Sequence, residues 1–215
     1  SRSRAHLTHT LCLDVRMSST TRPTPDGSSL RQTLAVLTAA AEDLGFVQSS
    51  EGDLGRLLRL LVASRPGGSF LELGTGVGYG AAWLLDGMDA DSRLVSVELE
   101  DDLQRIARAT FDDDPRVEWV LGDGSEWLRE AVARPERFDV VFADTWPGKY
   151  HDRDLAMELV KPHGWFVLDD LYPQPGWPDG HQANVDRLIA DMQSVDGWRT
   201  EFLPWGSGLM LCVRD

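Results

Sequence analysis

Cysteine and continuous apolar sequence are both scarce in this chain of 215 residues. The only cysteines, Cys12 and Cys212, lie near opposite ends, so neither a disulfide framework nor a cysteine metal site is predicted. No apolar run approaches the roughly 18 residues needed to cross a bilayer, and the residues before Thr24 lack the apolar region of a secretory signal. The sequence therefore predicts a protein of the reducing cytoplasm with no membrane partner.

Positive charge is also in short supply. Lys and Arg together number 21 against 35 Asp and Glu, which gives a formal net charge of -14. No stripe of Lys or Arg interrupts this acidic field, which repels phosphate backbones. A nucleic-acid partner is therefore not expected.

Internal repeats are missing too, which removes solenoids and propellers from consideration. Residues 1–29 are rich in Ser, Thr, Arg and Pro and are expected to form a flexible extension. The rest of the chain, residues 30–215, is long enough to bury one core and is expected to form a single domain.

Within that domain, strand patterns alternate with helix patterns. Helical apolar spacing first occurs in 30–44 and 54–63. Short apolar strands then alternate with helices, and such alternation predicts a parallel sheet covered by helices on both faces. The predicted strands are 69–73, 94–98, 117–121, 138–143 and 165–169, and the helices that follow them are 81–85, 101–111, 125–133, 153–160 and 182–193.

The end of the chain breaks this alternation. Two strand patterns, 198–203 and 209–213, are separated by five residues, whereas a parallel crossover needs about a dozen. They must pair antiparallel if they pair at all. The predicted fold is α/β, a Rossmann-like three-layer sandwich whose seven-stranded, mostly parallel sheet closes with an antiparallel C-terminal hairpin.

A glycine-rich loop follows the first strand and contains Gly74, Thr75, Gly76 and Gly78. Glycine lets the main chain approach a ligand closely, although a plain tight turn is the simpler explanation. The loop also matches the loose dinucleotide pattern GxGxxG/A, but that alignment starts two residues after the strand ends. Glu72 beside the loop would repel a diphosphate and suits the cationic sulfonium and amino groups of S-adenosylmethionine. We therefore predict S-adenosylmethionine as the cofactor.

Acids also follow the next two strands. Glu98 lies where an acid can accept both ribose hydroxyls, although it could be merely exposed. Asp123, between Gly122 and Gly124, is placed to accept from an adenine amino group, although it could instead be a helix N-cap. These residues complete the predicted cofactor site.

The chain resembles class I S-adenosylmethionine-dependent methyltransferases, and in particular bacterial O-methyltransferases of the catechol and caffeoyl-coenzyme A type. The resemblance covers 44–213, and its most specific segments are 70–78, 142–150 and 167–181. It implies O-methylation of a small hydroxylated acceptor, phenolic or catechol-like. Enzymes of this type are commonly homodimers, which leaves the oligomeric state of this chain open.

In catechol-type enzymes, acids after the fourth and fifth strands hold a divalent cation that binds the acceptor oxygens. Asp144, Asp169 and Asp170 occupy those places here, so the resemblance implies a site for Mg²⁺ or another divalent cation. The alternative is that Asp169 and Asp170 only cap the strand end. Asp144 is also expected at the junction of cofactor and acceptor.

The resemblance does not identify the general base. Catechol-type enzymes carry a lysine three residues after the first metal acid, where this chain has Pro147. Lys149, His151 and His181 are the candidates, and each could equally be a structural or solvated residue.

The acceptor pocket is expected in the loop 171–180, around Trp146 and beside the helix 30–44. Trp146, Tyr172, Trp177 and Trp205 could line a cleft for a flat substrate, or could be core or dimer contacts. Two other functions stay open: a non-catalytic S-adenosylmethionine-binding protein, and a nicotinamide-dependent oxidoreductase, which the loop register and the terminal hairpin disfavour.

Overall fold

The computed structural model describes residues 27–46, 52–174 and 177–215. The strands are β1 (Ser69–Leu73), β2 (Arg93–Glu98), β3 (Val117–Leu121), β4 (Phe138–Ala143), β5 (Val160–Leu168), β6 (Trp198–Leu203) and β7 (Leu209–Arg214). The helices are α1 (Gly27–Asp43), α2 (Gly52–Ala63), α3 (Tyr79–Gly87), α4 (Asp101–Phe111), α5 (Gly124–Ala131), α6 (Arg153–Glu158) and α7 (His181–Gln193).

The seven strands form one sheet in the order β3-β2-β1-β4-β5-β7-β6. Strands β1 to β5 pair in parallel, whereas β7 pairs antiparallel with both β5 and β6. The predicted mostly parallel sheet with an antiparallel terminal hairpin is therefore confirmed. The strand order reverses between β1 and β4, and ligands of open α/β sheets bind at such a switch point, beyond the carboxyl ends of the strands.

Helices cover both faces of the sheet because the strands are apolar on both sides. On one face, Leu71 and Val141 pack in a cluster that includes Leu128 of α5 and the buried residues of α7. On the other face, Phe70 and Phe142 pack against the leucines of α2 and α3. Burying each such side chain contributes about 1.5–3 kcal/mol, so the switch point is held by rigid elements on both sides.

Helix α1 packs outside this second layer. Leu37 is fully buried and shares a small cluster with Ala82 and Trp83 of α3. The helix begins at Gly27, inside the predicted 1–29 extension, whereas residues 1–26 lie outside the described part of the chain. No helix in the described ranges is long and apolar enough to cross a membrane.

The largest difference from a predicted boundary is at the start of β5. The helix expected over 153–160 ends at Glu158, and β5 begins at Val160 rather than at 165. Pro162 and Gly164 are turn-forming residues, but β5 continues through them with a register shift opposite Phe138, and His163 adopts a positive φ of 59°. The early part of β5 pairs with β4 through Val160 and Phe138, whereas the terminal hairpin pairs only with residues 165–168.

Candidate active site

The loops after β1 and β4 touch each other at the switch point. The Asp144 amide donates to the carbonyl of Leu73 at 2.9 Å. Gly74 has a φ of +96°, and a Cβ placed there would lie 2.9 Å from the main-chain oxygen of Asp144. Only glycine allows this approach, and it brings the glycine loop and the Asp144 loop to one crevice.

The loop then turns into α3. Gly76 and Gly78 both have positive φ, and the Gly78 amide donates to the Thr75 carbonyl at 2.9 Å. A Cβ on Gly78 would come within 2.8 Å of the Ala107 side chain, so this glycine allows α3 and α4 to pack closely. Gly74, Thr75 and Gly76 line the crevice, whereas Gly78 supports it from behind.

Glu98 is oriented by main-chain donors. Its Oε2 accepts from the Gly76 amide at 2.7 Å, and its Oε1 accepts from the amides of Leu99 and Glu100 at 2.9 and 3.0 Å. The side chain is half-buried and lines the same crevice as the glycine loop. The carboxylate is thus fixed before any ligand binds.

Glu72 is predicted to contact the cofactor, but it lies beneath the loop and does not line the crevice. Side chains alternate along β1, so Glu72 points to the α3 face, where Gly80 leaves room for its carboxyl group. Its Oε2 accepts from the hydroxyl of Ser96 at 2.5 Å, and that hydroxyl also contacts Thr75 at 2.7 Å. Burial raises the pKa of Glu72 to about 8, with a smaller contribution from Glu98.

Asp123 is the N-cap of α5, which was the alternative assignment. Its side chain accepts from the Glu126 amide at 2.9 Å, as expected for a capping aspartate. Neither Asp123 nor its neighbours Gly122 and Gly124 line the crevice, and Gly124 instead packs against Pro147. The structure therefore does not bring this turn to the other predicted cofactor residues.

The crevice opens into a cavity of about 540 Å³ with two chemically different halves. One half holds the glycine loop and Glu98. The other holds carboxylates, aromatic rings and the ammonium of Lys149. The residues that line it are Phe46, Gly74, Thr75, Gly76, Val77, Tyr79, Gly80, Glu98, Leu99, Glu100, Leu103, Asp144, Thr145, Trp146, Lys149, Tyr150, Asp169, Asp170, Gln174, Trp177, Pro178, His181 and Ser207.

Four rings, those of Trp146, Tyr150, Trp177 and His181, form one aromatic wall of this cavity. The His181 ring lies 5.1 Å from Trp146, 5.1 Å from Tyr150 and 4.5 Å from Trp177, measured between ring centroids. These separations fall in the range of favourable aromatic contacts. The loop after β4, the loop after β5 and the start of α7 are thereby packed into one surface.

The structure does not place two of the predicted aromatic residues in this wall. Tyr172 points away and packs edge-on against Phe202 at 5.5 Å, and Trp205 is 47% exposed outside the cavity. No residue of α1 itself lines the cavity, although Phe46, just after that helix, does.

Three carboxylates, those of Asp144, Asp169 and Asp170, line the cavity and form what we call the carboxylate cluster. Asp169 is buried, and its Oδ1 accepts from the Ser207 hydroxyl at 2.5 Å. Burial and the charge of Asp170 raise the pKa of Asp169 to about 6. Burial, and then the charge of Asp169, raise the pKa of Asp144 well above its ordinary value. The cluster therefore carries unfavourable negative charge.

The three candidate bases have different surroundings. Lys149 is only 4% exposed and lines the cavity, where its charge opposes the rise that burial causes in the pKa of Asp144 and of Asp169. Burial and the Lys149 charge lower the pKa of His181, so its imidazole stays neutral at physiological pH. His151 does not line this cavity but a second one, behind the aromatic wall. The structure thus brings Lys149 and His181 to the site, and not His151.

The carboxylate cluster does not form the expected metal site. In the described ranges, no group of three or more His, Cys, Asp or Glu side chains is arranged so that it could hold a metal ion. Asp169 already accepts from Ser207, and the Lys149 ammonium is buried beside the carboxylates. While the Lys149 ammonium occupies this position, these residues do not fit a divalent cation, because a hard cation needs several oxygen ligands converging on one point.

Sequence reasoning missed Phe46, Leu103 and Ser207, all of which line the cavity. Ser207 lies in the turn of the terminal hairpin, 38 positions from Asp169 in the chain, and nothing local in the sequence links the two. Leu103 is one residue of an amphipathic helix and has no distinguishing pattern.

Comparison with known proteins agrees with this geometry. Residues 71–171 match the family model of a methyltransferase domain. A predicted O-methyltransferase of Mycobacterium avium is 30% identical over 196 residues, which cover 84% of this chain and 86% of that protein.

Two solved structures share the fold. The O-methyltransferase of Bacillus cereus, in complex with SAH, is 24% identical with a TM-score of 0.74, and the match covers 89% of this chain and 92% of that one. The O-methyltransferase TomG of Streptomyces achromogenes, in complex with SAM, is also 24% identical with a TM-score of 0.74, covering 85% and 89% of the two chains. Because the relative from Mycobacterium avium is similar along most of both chains, this protein belongs to the class I S-adenosylmethionine-dependent O-methyltransferases.

Proposed function

We propose that this protein transfers the methyl group of S-adenosylmethionine to a hydroxyl oxygen of a small phenolic or catechol-like acceptor. The observation that carries the proposal is the single cavity that joins the glycine loop and Glu98 to the aromatic wall. Its volume of about 540 Å³ lies in the usual range for small-molecule sites.

The cofactor half fits S-adenosylmethionine. The glycine loop supplies main chain at close range, and the fixed carboxylate of Glu98 is an acceptor for ribose hydroxyls. The structural neighbours from Bacillus cereus and Streptomyces achromogenes were solved with SAH and SAM bound. Glu72 supports this half indirectly, by holding Ser96 and Thr75 beneath the loop.

The acceptor half suits a flat ring that carries a hydroxyl group. The rings of Trp146 and Trp177 provide faces and edges for stacking, and each such contact is worth about 0.5–1.5 kcal/mol beyond the area it buries. Asp144, whose loop meets the cofactor loop at Gly74, provides a polar group where the two halves join. A phenolic hydroxyl would be directed there.

Chemistry then requires alignment and the removal of one proton. The acceptor O–H proton passes to a ring nitrogen of His181, while an oxygen lone pair attacks the methyl carbon and the carbon–sulfur bond breaks. The electron pair of that bond stays on sulfur, leaving neutral S-adenosylhomocysteine and a methyl ether. Nδ1 of His181 is buried without a hydrogen-bond partner in the described ranges, so no protein group fixes which ring nitrogen carries the proton. Asp144 lies at the junction of the two halves and positions the reacting groups.

The test is binding followed by turnover. Calorimetry with S-adenosylmethionine and with NAD⁺ is expected to give micromolar binding of the first and no signal for the second. A panel of phenols and catechols is then screened for methylated product by mass spectrometry. Tight cofactor binding without product from any acceptor would favour the non-catalytic alternative.

Asp144→Ala is the matched variant. It is expected to keep its fold and its cofactor binding while turnover falls by about 100-fold, because a misplaced reacting pair loses the advantage of alignment. Full turnover in a folded Asp144→Ala protein would remove Asp144 from the mechanism.

A cytoplasmic location and homodimer formation stay predictions. So does the boundary between an N-terminal extension, residues 1–29, and one domain, residues 30–215.

A further inference from the structure

Lysine is rare in this chain and one lysine is buried in the site. Of the 21 Lys and Arg residues only Lys149 and Lys161 are lysines. Lys161 is on the surface, where it pairs with Asp139 at 2.7 Å. Lys149 is 4% exposed, and burying an ammonium is costly unless opposite charge compensates it. A compensating group must therefore face Lys149.

The carboxylate cluster is that group. Lys149 lines the same cavity as all three of its members and follows Asp144 by five residues, in the loop after β4. The turn that carries Lys149 is closed by the Lys149 and Tyr150 amides, which donate to the Trp146 carbonyl at 3.2 and 2.9 Å. The position of the ammonium is thus set by a folded turn.

Tyr150 and Gly148 restrict the lysine further. The ammonium lies 5.4 Å from the centroid of the Tyr150 ring, which favours a cation over its face. Gly148 has a φ of +82° and packs its main chain against Leu73, which seats the turn on the end of β1. The turn and the Tyr150 ring together restrict where the ammonium of Lys149 can lie.

We propose that Lys149 is the built-in cation of this site: its ammonium offsets part of the negative charge of Asp144, Asp169 and Asp170 and excludes a divalent metal ion from them. Among the described residues, Lys149 places a positive charge in the cavity that the three acids line, and no group of three or more His, Cys, Asp or Glu side chains is arranged to hold a metal. A cation in this position also stabilises an acceptor oxygen as it loses its proton, a role that rests on the proposed methyl transfer. Lys149 then acts as a fixed charge and His181 takes the proton.

Metal binding tests the proposal without reference to turnover. The purified full chain is stripped with EDTA and titrated with Mn²⁺, and free Mn²⁺ is measured by electron paramagnetic resonance. The wild-type protein is expected to show no binding below millimolar Mn²⁺. Lys149→Met, which keeps the length of the stem but not the charge, is expected to bind Mn²⁺ at least ~100-fold more tightly, because the positive charge that excludes the metal is then gone. Lys161→Met, the control, is expected to behave as wild type.

A second variant covers the case in which Lys149→Met fails to fold. Lys149→Arg keeps the positive charge and is expected to exclude Mn²⁺ as the wild-type protein does. Stoichiometric binding of micromolar Mn²⁺ by the wild-type protein would overturn the proposal. So would a folded Lys149→Met protein with the Mn²⁺ affinity of Lys161→Met.

Turnover separates this proposal from the proposed function. With an accepted phenol, the stripped wild-type enzyme is expected to work at the same rate, within about twofold, with EDTA or with Mg²⁺, and Lys149→Met is expected to lose about 100-fold. A wild-type enzyme that turns over only with Mg²⁺ would refute the built-in cation and leave methyl transfer standing. A protein that methylates no acceptor would refute the proposed function, and the Mn²⁺ titrations would still decide the role of Lys149.

Discussion

Replacing Glu72 by glutamine should stabilise the protein at neutral pH. The pKa of this buried carboxyl is raised from 4.5 to about 8, chiefly by burial, so the folded protein holds a proton that the unfolded chain releases. Stability from this group is therefore complete below pH 4.5 and is lost as the pH rises toward 8. Holding the proton at pH 7 costs about 3 kcal/mol, since each pH unit above the ordinary pKa costs about 1.4 kcal/mol.

Glu72→Gln removes that cost, because an amide does not titrate. Urea unfolding of the two proteins between pH 4 and pH 9 is the assay. The difference in free energy of unfolding is expected to be near zero at pH 4, about 3 kcal/mol in favour of the variant at pH 7, and level above pH 8. For a domain of this size the melting temperature at pH 7 should rise by roughly 6–12 °C.

The control is Glu118→Gln, which makes the same change at an exposed position of β3 and should leave the pH dependence unchanged. The reasoning fails if Glu72→Gln is no more stable than wild type at pH 7 and the difference between them does not vary with pH. That result would mean that Glu72 is ionised in the folded protein.

Three further outcomes follow from the geometry. Gly80→Ala places a Cβ 2.2 Å from the buried Oε1 of Glu72 and should destabilise the protein by about 2–3 kcal/mol in thermal unfolding. The control Gly122→Ala meets nothing within 4 Å and should cost less than about 0.5 kcal/mol. His181→Asn should lower turnover by about 100-fold. Because the pKa of His181 is lowered from its usual value of 6.5, acid should reduce the turnover of the wild-type enzyme only below pH 6.5, and the variant should not show this loss. Ser207→Ala removes the donor to Asp169, so the pKa of that acid should rise above about 6 and the free energy of unfolding should fall by about 1–2 kcal/mol. NMR titration of the carboxyl group measures the pKa, and Ser207→Thr, which keeps the hydroxyl, should not change it.

The fold could be predicted from the sequence because its signals are local. β1, β3, β4 and β6 have the predicted bounds, since each is a short apolar or alternating run between turn residues. The antiparallel hairpin followed from the length of one connection. The start of β5 could not be predicted, because its pairing with β4 outweighs the turn tendency of Pro162 and Gly164.

The site was predicted less completely. Residues that directly follow strands, such as Glu98, Asp144 and Asp169, lie on the cavity as expected, since strand ends share one edge of the sheet. The side toward which Glu72 points follows from alternation with Phe70, which packs on the same face. Sequence spacing alone does not show that Lys149 is the counter-ion of the carboxylate cluster, because this depends on how tightly the turn that carries Lys149 packs.

The contact between Ser207 and Asp169 has a consequence for which parts of the chain build the cavity. The last strand, β7, lies between β5 and β6, so β6 has no neighbour in the sheet until the C-terminal residues are available. Ser207 and the main chain beside it also hold the loop after β5, through the amides of Leu171 and Tyr172. The glycine loop and Glu98 of the cofactor half come from segments before β3, whereas the acceptor half also needs Ser207 of the terminal hairpin. The two halves of the cavity therefore depend on different parts of the chain, and only the proposed acceptor half draws a residue from the terminal hairpin.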